Sequence, residues 1–299
     1  MPHLHHVASG SGWFAVSLTV IIVFAALVYL RGWLRRRSTS SNAISFWRAG
    51  SFLLGLFLIW VAVASPLAAL DHALLTVHMV QHLLLMTLAA PLIWLGAPLM
   101  ALLHGLPQQF VHAVLGSMFR WPPVQRLGRA LAQPAFCWLA AFVALMGWHI
   151  PAAFTLGLQS EAWHAVEQAS FLGTGLLFWW PVIQPWPSVA RWPEWSILLY
   201  LFLATLPCDI LAGLLVFGDR VVYSAYLSSS RPFGLSALED QQCAGALMWT
   251  CVTVIYLVAG TIFTARLLSV QSCRGGGRLQ LESPVSVVRQ EDPQNLEVA

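Results

Sequence analysis

The sequence predicts an all-α integral membrane protein, a bundle of seven transmembrane helices with its N-terminus outside and its C-terminus in the cytoplasm. Three observations lead there. Of 299 residues, 58% are hydrophobic and only 9% charged, whereas a soluble domain carries about 25% charged residues. Seven windows approach the roughly 20 apolar residues that a spanning helix needs: 13–30, 46–64, 73–99, 134–150, 165–184, 195–217 and 240–266. The 15 basic residues, all of them Arg, divide unevenly between the two sides that these windows define.

The first window has no basic stretch before it and is followed by Arg31, Arg35, Arg36 and Arg37, the pattern of an anchor rather than a cleaved signal. The second is apolar beyond Arg48 and Ser51 near its start, and the third begins just after Asp71 and His72. Pro134 suits the first turn of the fourth, and Pro151 ends it just after His149. The fifth opens beside His164 and Glu167. The sixth contains Pro207 and Asp209; proline there frees a backbone carbonyl and can kink the helix. The seventh opens on Asp240, Gln241 and Gln242.

Residues 105–133 are expected to form a partly helical cytoplasmic connection, and 218–238, rich in Ser and Gly, an outer loop. Residues 268–299 read as a polar, disordered tail. No repeat recurs at a fixed period, and the spans cannot fold as separate soluble units. Residues 1–267 are therefore read as one membrane domain, followed by the tail.

Charge sets the orientation. With the N-terminus outside, thirteen Arg lie on the cytoplasmic side and only Arg220 and Arg231 outside, as the positive-inside rule requires. The 15 Trp suit the headgroup boundary. A net charge of +3 gives no reason to expect a nucleic-acid partner. The five Cys are scattered with no C-x-x-C pair, which is neither a disulfide framework nor a zinc ribbon; they read as small buried residues.

His78 and His82 sit four residues apart in an otherwise apolar run, so they share a helix face. Ionisable groups in lipid are costly and normally face a partner, a cavity or an ion. In this orientation His72, His78, His82, His149 and His164, from three helices, meet one membrane level near the outer face. His3, His5 and His6 are outside too, while His104 and His112 fall on the cytoplasmic side. Met86 extends the His78–His82 stripe, Asp71 lies seven residues before His78, Met146 precedes His149 by three, and His164 and Glu167 are neighbours at i and i+3.

Imidazole with thioether suits copper, especially Cu(I), and imidazole with carboxylate suits zinc or iron. A carboxylate can also orient a ligating ring. The candidate metal ligands are thus His78, His82 and His149, then His164, with Met86 as a soft supplement and Glu167 and Asp71 to orient rings or attract the cation.

Plainer roles compete. A histidine at a helix end sits comfortably among headgroups, and Met commonly fills core gaps. Asp71 would cap the third helix, and Asp240 is expected to act as a cap. Asp209, inside a span, asks for a functional or structural partner; with Asp240 to Gln242 it would line the same cavity or pair with Arg220 and Arg231. No enzyme is expected. A metallopeptidase H-E-x-x-H needs a carboxylate where Met79, Val80 and Gln81 stand, and neither a nucleophile elbow nor a phosphate loop occurs in a plausible context. Haem held by histidines of different helices is the alternative cofactor.

Four separated blocks carry a family resemblance. The run SPLAALDHALLTVHMVQHLLLMTLAAPLIWLGAP (65–98) resembles the signature of the CtaG family, the multi-spanning cytochrome c oxidase assembly factors. WHIPAAF (148–154), HAVEQASFLGTGLLFWWPVI (164–183) and DQQCAGALMW (240–249) resemble its other landmarks, so the likeness covers about 46–267. It implies a multi-pass protein of the bacterial plasma (inner) membrane needed for maturation of haem-copper oxidases. Its partners would be an oxidase subunit and a periplasmic copper chaperone, and its cargo copper. The family's His motif falls on His78 and His82, its W-H-x-P on His149, and its H-x-x-E on His164 and Glu167. Gln168 stands where the family pattern has a further His, so the fifth helix supplies one imidazole. A metal-free membrane scaffold for an oxidase subunit remains the second reading, and a haem protein the third.

Overall fold

The computed structural model describes residues 4–39, 45–107, 120–184, 192–229 and 233–279, together with positions 109, 111, 113 and 116. His3, His112, Arg191, Arg231 and residues 280–299, most of the expected tail, lie outside the described residues. The described residues contain helices and no strand. In chain order these are α1 (Leu4–Thr39), α2 (Phe46–Ala64), α3 (Leu75–Leu95), α4 (Pro98–Gly105), α5 (Pro122–Leu131), α6 (Pro134–Trp148), α7 (Pro151–Gln159), α8 (Glu161–Ile183), α9 (Glu194–Phe217) and α10 (Ala237–Leu279). Proline opens α4, α5, α6 and α7, where its missing N–H costs nothing and its fixed φ favours the first turn.

The several apolar helices make this a multi-pass membrane protein. Five stretches are long and apolar enough to cross a bilayer: Trp13–Arg37, Phe46–Leu70, Leu75–Leu95, Trp195–Phe217 and Ala237–Ser269. A sixth is added if α5 and α6, bent by 69°, form one broken span. The other two expected spans fall short by themselves for physical reasons. α6 has 15 residues, about 22 Å at 1.5 Å per residue, against a hydrocarbon core of about 30 Å. α8 has the length but opens with Glu161, His164, Glu167 and Gln168.

α3 is the axis of the bundle. In its most apolar window 61% of residues are buried, against 6% in the first stretch and 17% in the second and last; those present Val20, Phe24, Phe57 and Leu257 outward, to lipid. One core gathers Tyr29, Phe52, Leu56 and Ile59 of α1 and α2 around Leu85 and Ala89 of α3. A second gathers Phe178, Trp179, Tyr200 and Tyr256 of α8, α9 and α10 around Leu75 and Met79. α3 enters both, so its polar residues are enclosed by protein on all sides.

α3 ends sooner than the 73–99 window suggests. Gly96 and Ala97, the latter at φ 49°, reverse the chain, and the Tyr29 hydroxyl donates to the Gly96 carbonyl at 2.8 Å. α4 then lies back against α1 at backbone contact: a Cβ on Gly32 would overlap the Ala101 carbonyl, and one on Gly105 the Val28 carbonyl. Small residues let membrane helices approach this closely. α7 is a helix the sequence reading did not separate, and α10 continues past the expected boundary at 267 to Leu279.

Gly32→Val forces a side chain into that carbonyl. Overpacking of this kind costs about 1–3 kcal/mol, so the detergent-solubilised variant is expected to melt several degrees lower. Gly50→Ala, where an added methyl meets open space, is expected to melt no lower than the wild type.

Candidate metal centre

The N-terminal end of α3 is positioned from outside its own sequence. Its cap residue, Leu74, offers no side-chain acceptor, and an uncapped helix start leaves backbone N–H groups unsatisfied. Asp240 of α10 supplies the missing acceptor. Its carboxylate accepts from the Leu75 N–H at 2.6 Å, the Thr76 N–H at 3.1 Å and the Thr76 hydroxyl at 2.6 Å. α10 itself starts on a capping box: the Glu239 N–H donates to Ser236 Oγ, and the Ser236 N–H to Glu239 Oε2. Asp240 is therefore a cap, but for α3. Asp71, expected to cap α3, instead ends the preceding 3-10 turn (Pro66–Leu70) and turns its carboxylate inward.

One turn into α3, His78 and His82 meet Glu167 of α8. Their Nε2 atoms lie 2.7 Å apart, and they stand 3.4 and 3.3 Å from Glu167 Oε1. All three side chains are buried, His78 and Glu167 to 1% exposure. Glu167 Oε2, His78 Nδ1 and His82 Nδ1 have no hydrogen-bond partner. Two imidazoles and a carboxylate thus form a compact donor triangle that a cation could complete.

Two further devices hold α8 against α3. The Trp179 indole donates to the Met86 carbonyl at 3.1 Å, and Trp94 returns a bond to the Leu176 carbonyl at 2.8 Å. Gly175 lies on the Met86 backbone, where a Cβ would come within 2.9 Å of its Cα. Met86 is inside a π turn, Leu84–Ala89, directly after His82; such turns are frequent at functional sites.

Nearer the exposed end, a second cluster forms around Asp71. His164 Nε2 lies 3.4 Å from Asp71 Oδ2, His72 Nε2 3.6 Å from Oδ1, and the Gln81 amide donates to Oδ2 at 3.4 Å. Gln168 lies 3.2 Å from His164 Nε2. The His164 ring stacks on His78 at 5.7 Å between centroids, so the two clusters are contiguous. Among the described residues, the ion-pair partners of Asp71 and Glu167 are histidines only.

His149 stands apart from the triangle. It is the C-cap residue of α6 and is buried. Its Nδ1 lies 2.6 Å from the Leu145 carbonyl and its Nε2 3.4 Å from Met79 Sδ. His82, His149, Met79 and Met86 line one cavity of about 50 Å³, whose wall also includes Phe171, Phe178 and Tyr256. The loop after α9 covers the site: the Tyr226 hydroxyl donates to the Asp71 carbonyl, the Tyr223 hydroxyl to the His149 carbonyl, and Phe154 stacks on Tyr223. Burial, with Glu167 and, for Tyr226, Asp71 and Asp240 nearby, pushes both phenols above the usual tyrosine range. They stay protonated and donating.

Of the candidate ligands, the structure brings His78, His82 and Glu167 together, places Asp71 and His164 in the adjoining cluster, and sets His149 with Met86 around the cavity. Met79 was missed, although it precedes His82 by three residues and so lies near its face. Met146 lies outside that cavity lining. Asp209 lines a separate, membrane-facing groove between α9 and α10 with Thr205, Thr253 and Thr261. It does not join Asp240, which caps α3, nor Gln241, which accepts from the Val222 N–H and donates to the Arg220 carbonyl.

A family model described as cytochrome c oxidase caa3 assembly factor (Caa3_CtaG) matches residues 27–269. Uncharacterized proteins of Mycobacterium bovis and of Mycobacterium tuberculosis are each 25% identical over 237 residues, covering 76% of this chain and 35% of theirs. The chain thus spans about a third of the length of these curated relatives. No solved structure matches.

Removing the Asp240 cap tests the positioning of α3. Loss of an N-cap carboxylate costs about 0.5–2 kcal/mol, so Asp240→Ala is expected to lower the melting temperature. Amide exchange is expected to accelerate at Leu75 and Thr76 more than in α2.

Proposed function

The chain belongs to the cytochrome c oxidase caa3 assembly factor family, and we propose that it holds copper on His78, His82 and Glu167 and passes it to a haem-copper oxidase subunit. The supporting observation is the donor triangle itself. With sides of 2.7, 3.3 and 3.4 Å, its donors stand close enough together that all three would reach one ion at ligand lengths of about 2.0–2.1 Å. Glu167 has a carboxylate oxygen with no partner in an apolar bundle, and a buried carboxylate calls for a positive charge. Imidazole suits zinc, copper and iron alike, but affinity for divalent ions peaks at copper. Oxidase assembly supplies the reason for that ion to be the cargo.

The free Nδ1 atoms of His78 and His82 fit a carrier better than a permanent site. A ligating ring whose second nitrogen is anchored binds more tightly, and these rings lack that anchor. The Arg bias supports an outer-face position for this end of the bundle in the plasma membrane, in a seven-span arrangement that would count α6 and α8 as spans. His72, with 57% of its side chain exposed, would receive the ion from a periplasmic copper chaperone, and Asp71 and His164 would lead it to His78.

The scaffold reading draws on one observation: at 2.7 Å the two imidazoles satisfy one another by a hydrogen bond without any ion. The haem reading is disfavoured by ring centroids only 4.3 Å apart and by the small size of the neighbouring cavity.

Purified protein is expected to retain copper that a His78→Ala/His82→Ala double variant loses, read by metal analysis, with oxidase assembly failing in cells carrying it. Normal assembly in those cells would transfer support to the scaffold, and a Soret band to haem. Ligand imidazoles must be unprotonated. Copper retention is therefore expected to be complete at neutral pH and to fail on acidification, as read by equilibrium dialysis.

A further inference from the structure

His149 and Met79 face one another in a way that ordinary hydrogen bonding does not explain. The Leu145 carbonyl can only accept, so the 2.6 Å contact places a proton on His149 Nδ1. A neutral imidazole protonated there has a bare lone pair at Nε2. That lone pair points at Met79 Sδ, 3.4 Å away, which is a thioether with lone pairs and no proton to give. Two Lewis bases are thus held face to face, both residues buried, at 7% and 1% exposure. In this neutral tautomer no hydrogen lies between them.

From this juxtaposition we propose a second metal site, with His149 Nε2 and Met79 Sδ as its ligands and Cu(I) as its ion. At metal–nitrogen and metal–sulfur lengths of about 2.0 and 2.3 Å, a 3.4 Å separation corresponds to a ligand–metal–ligand angle of roughly 105°, close to tetrahedral. A soft thioether with imidazole selects Cu(I), whereas the carboxylate triangle of His78, His82 and Glu167 admits harder divalent ions. The anchoring of Nδ1 on a backbone carbonyl is the arrangement expected of a ligating histidine, and it is the anchoring that His78 and His82 lack. The adjoining cavity adds Met86, Cys208 and Met248, all sulfur side chains, and its about 50 Å³ exceeds the 10–15 Å³ that a single water needs. His82 belongs to both the triangle and the cavity wall, so the two sites adjoin through one side chain.

The ion enters and leaves this site as Cu(I); no electron transfer is involved. The inference rests on the copper reading for its choice of ion and on the His149–Met79 geometry for everything else.

The test uses the full-length protein in detergent under anaerobic conditions. Cu(I) is titrated against a chromophoric Cu(I) chelator, Zn(II) against a zinc dye, and X-ray absorption is read for sulfur ligation. Met79→Leu keeps the side-chain volume and removes the sulfur. It is expected to weaken Cu(I) binding at least tenfold and to diminish the sulfur signal, with Zn(II) binding unchanged. His149→Gln is expected to do the same, and His78→Ala/His82→Ala to lose Zn(II) while keeping one Cu(I) with sulfur ligation. Wild-type Cu(I) affinity in Met79→Leu, or a bound Cu(I) with no sulfur ligand in the wild type, overturns the proposal. Failure of the triangle to bind any metal, with Cu(I) still on sulfur, removes the proposed function and leaves this site standing. If Met79→Leu does not fold, the wild-type sulfur signal and the His149→Gln titration decide.

Discussion

A carboxylate with no route to water governs the interior of this protein. Glu167 is buried in an apolar helix bundle, where an isolated charge is heavily penalised and must be paired. Its partners, His78 and His82, sit on another helix. Satisfying one side chain therefore sets the distance and rotation of α8 against α3. The Trp–carbonyl bonds, the Gly175 contact and the π turn after His82 all act at that same interface. α3 occupies the centre of the fold because its polar residues leave it no face to offer lipid.

Donor chemistry differs from group to group across α3 and its neighbours. Asp71 stands with His72 and His164, the His78, His82 and Glu167 triangle adjoins them, and a sulfur-lined cavity lies beside His149. Solvation accounts for the company each donor keeps: carboxylates tolerate burial only with partners, whereas thioethers are at home in a core. The tyrosine-bearing loop covers these groups through hydrogen bonds to backbone carbonyls, which leaves the side-chain donors free.

Much of this was legible in the chain. The apolar windows locate the long helices, and α2 begins and ends where composition places it. Pro134 marks the start of α6, and Pro151 stands just past its end, though it does not by itself announce a separate α7. The i, i+4 spacing of His78 and His82 and the i, i+3 spacing of His164 and Glu167 identify the residues that meet. Other features had no local signal. The π turn at Leu84–Ala89 has no signal in its run of Leu, Met and Thr, although Met86 still lines the same cavity as His82. Met79 becomes the partner of His149 only through the packing of α6 on α3. Nothing near Leu74 announces that its helix will be capped by a residue 165 positions away. The sequence also suggested that residues of one membrane level form one pocket, whereas the fold sorts them into adjoining groups by helix rotation.

The cap from Asp240 has a consequence for biogenesis. Helices enter the membrane in the order in which they are synthesised, and α10 comes long after α3. Until it arrives, the first turn of α3 lacks its acceptor, and the imidazoles behind it have no settled spacing. A nascent chain therefore carries its donors long before the helix that bears two of them is capped, and a product terminated ahead of α10 would never gain that cap.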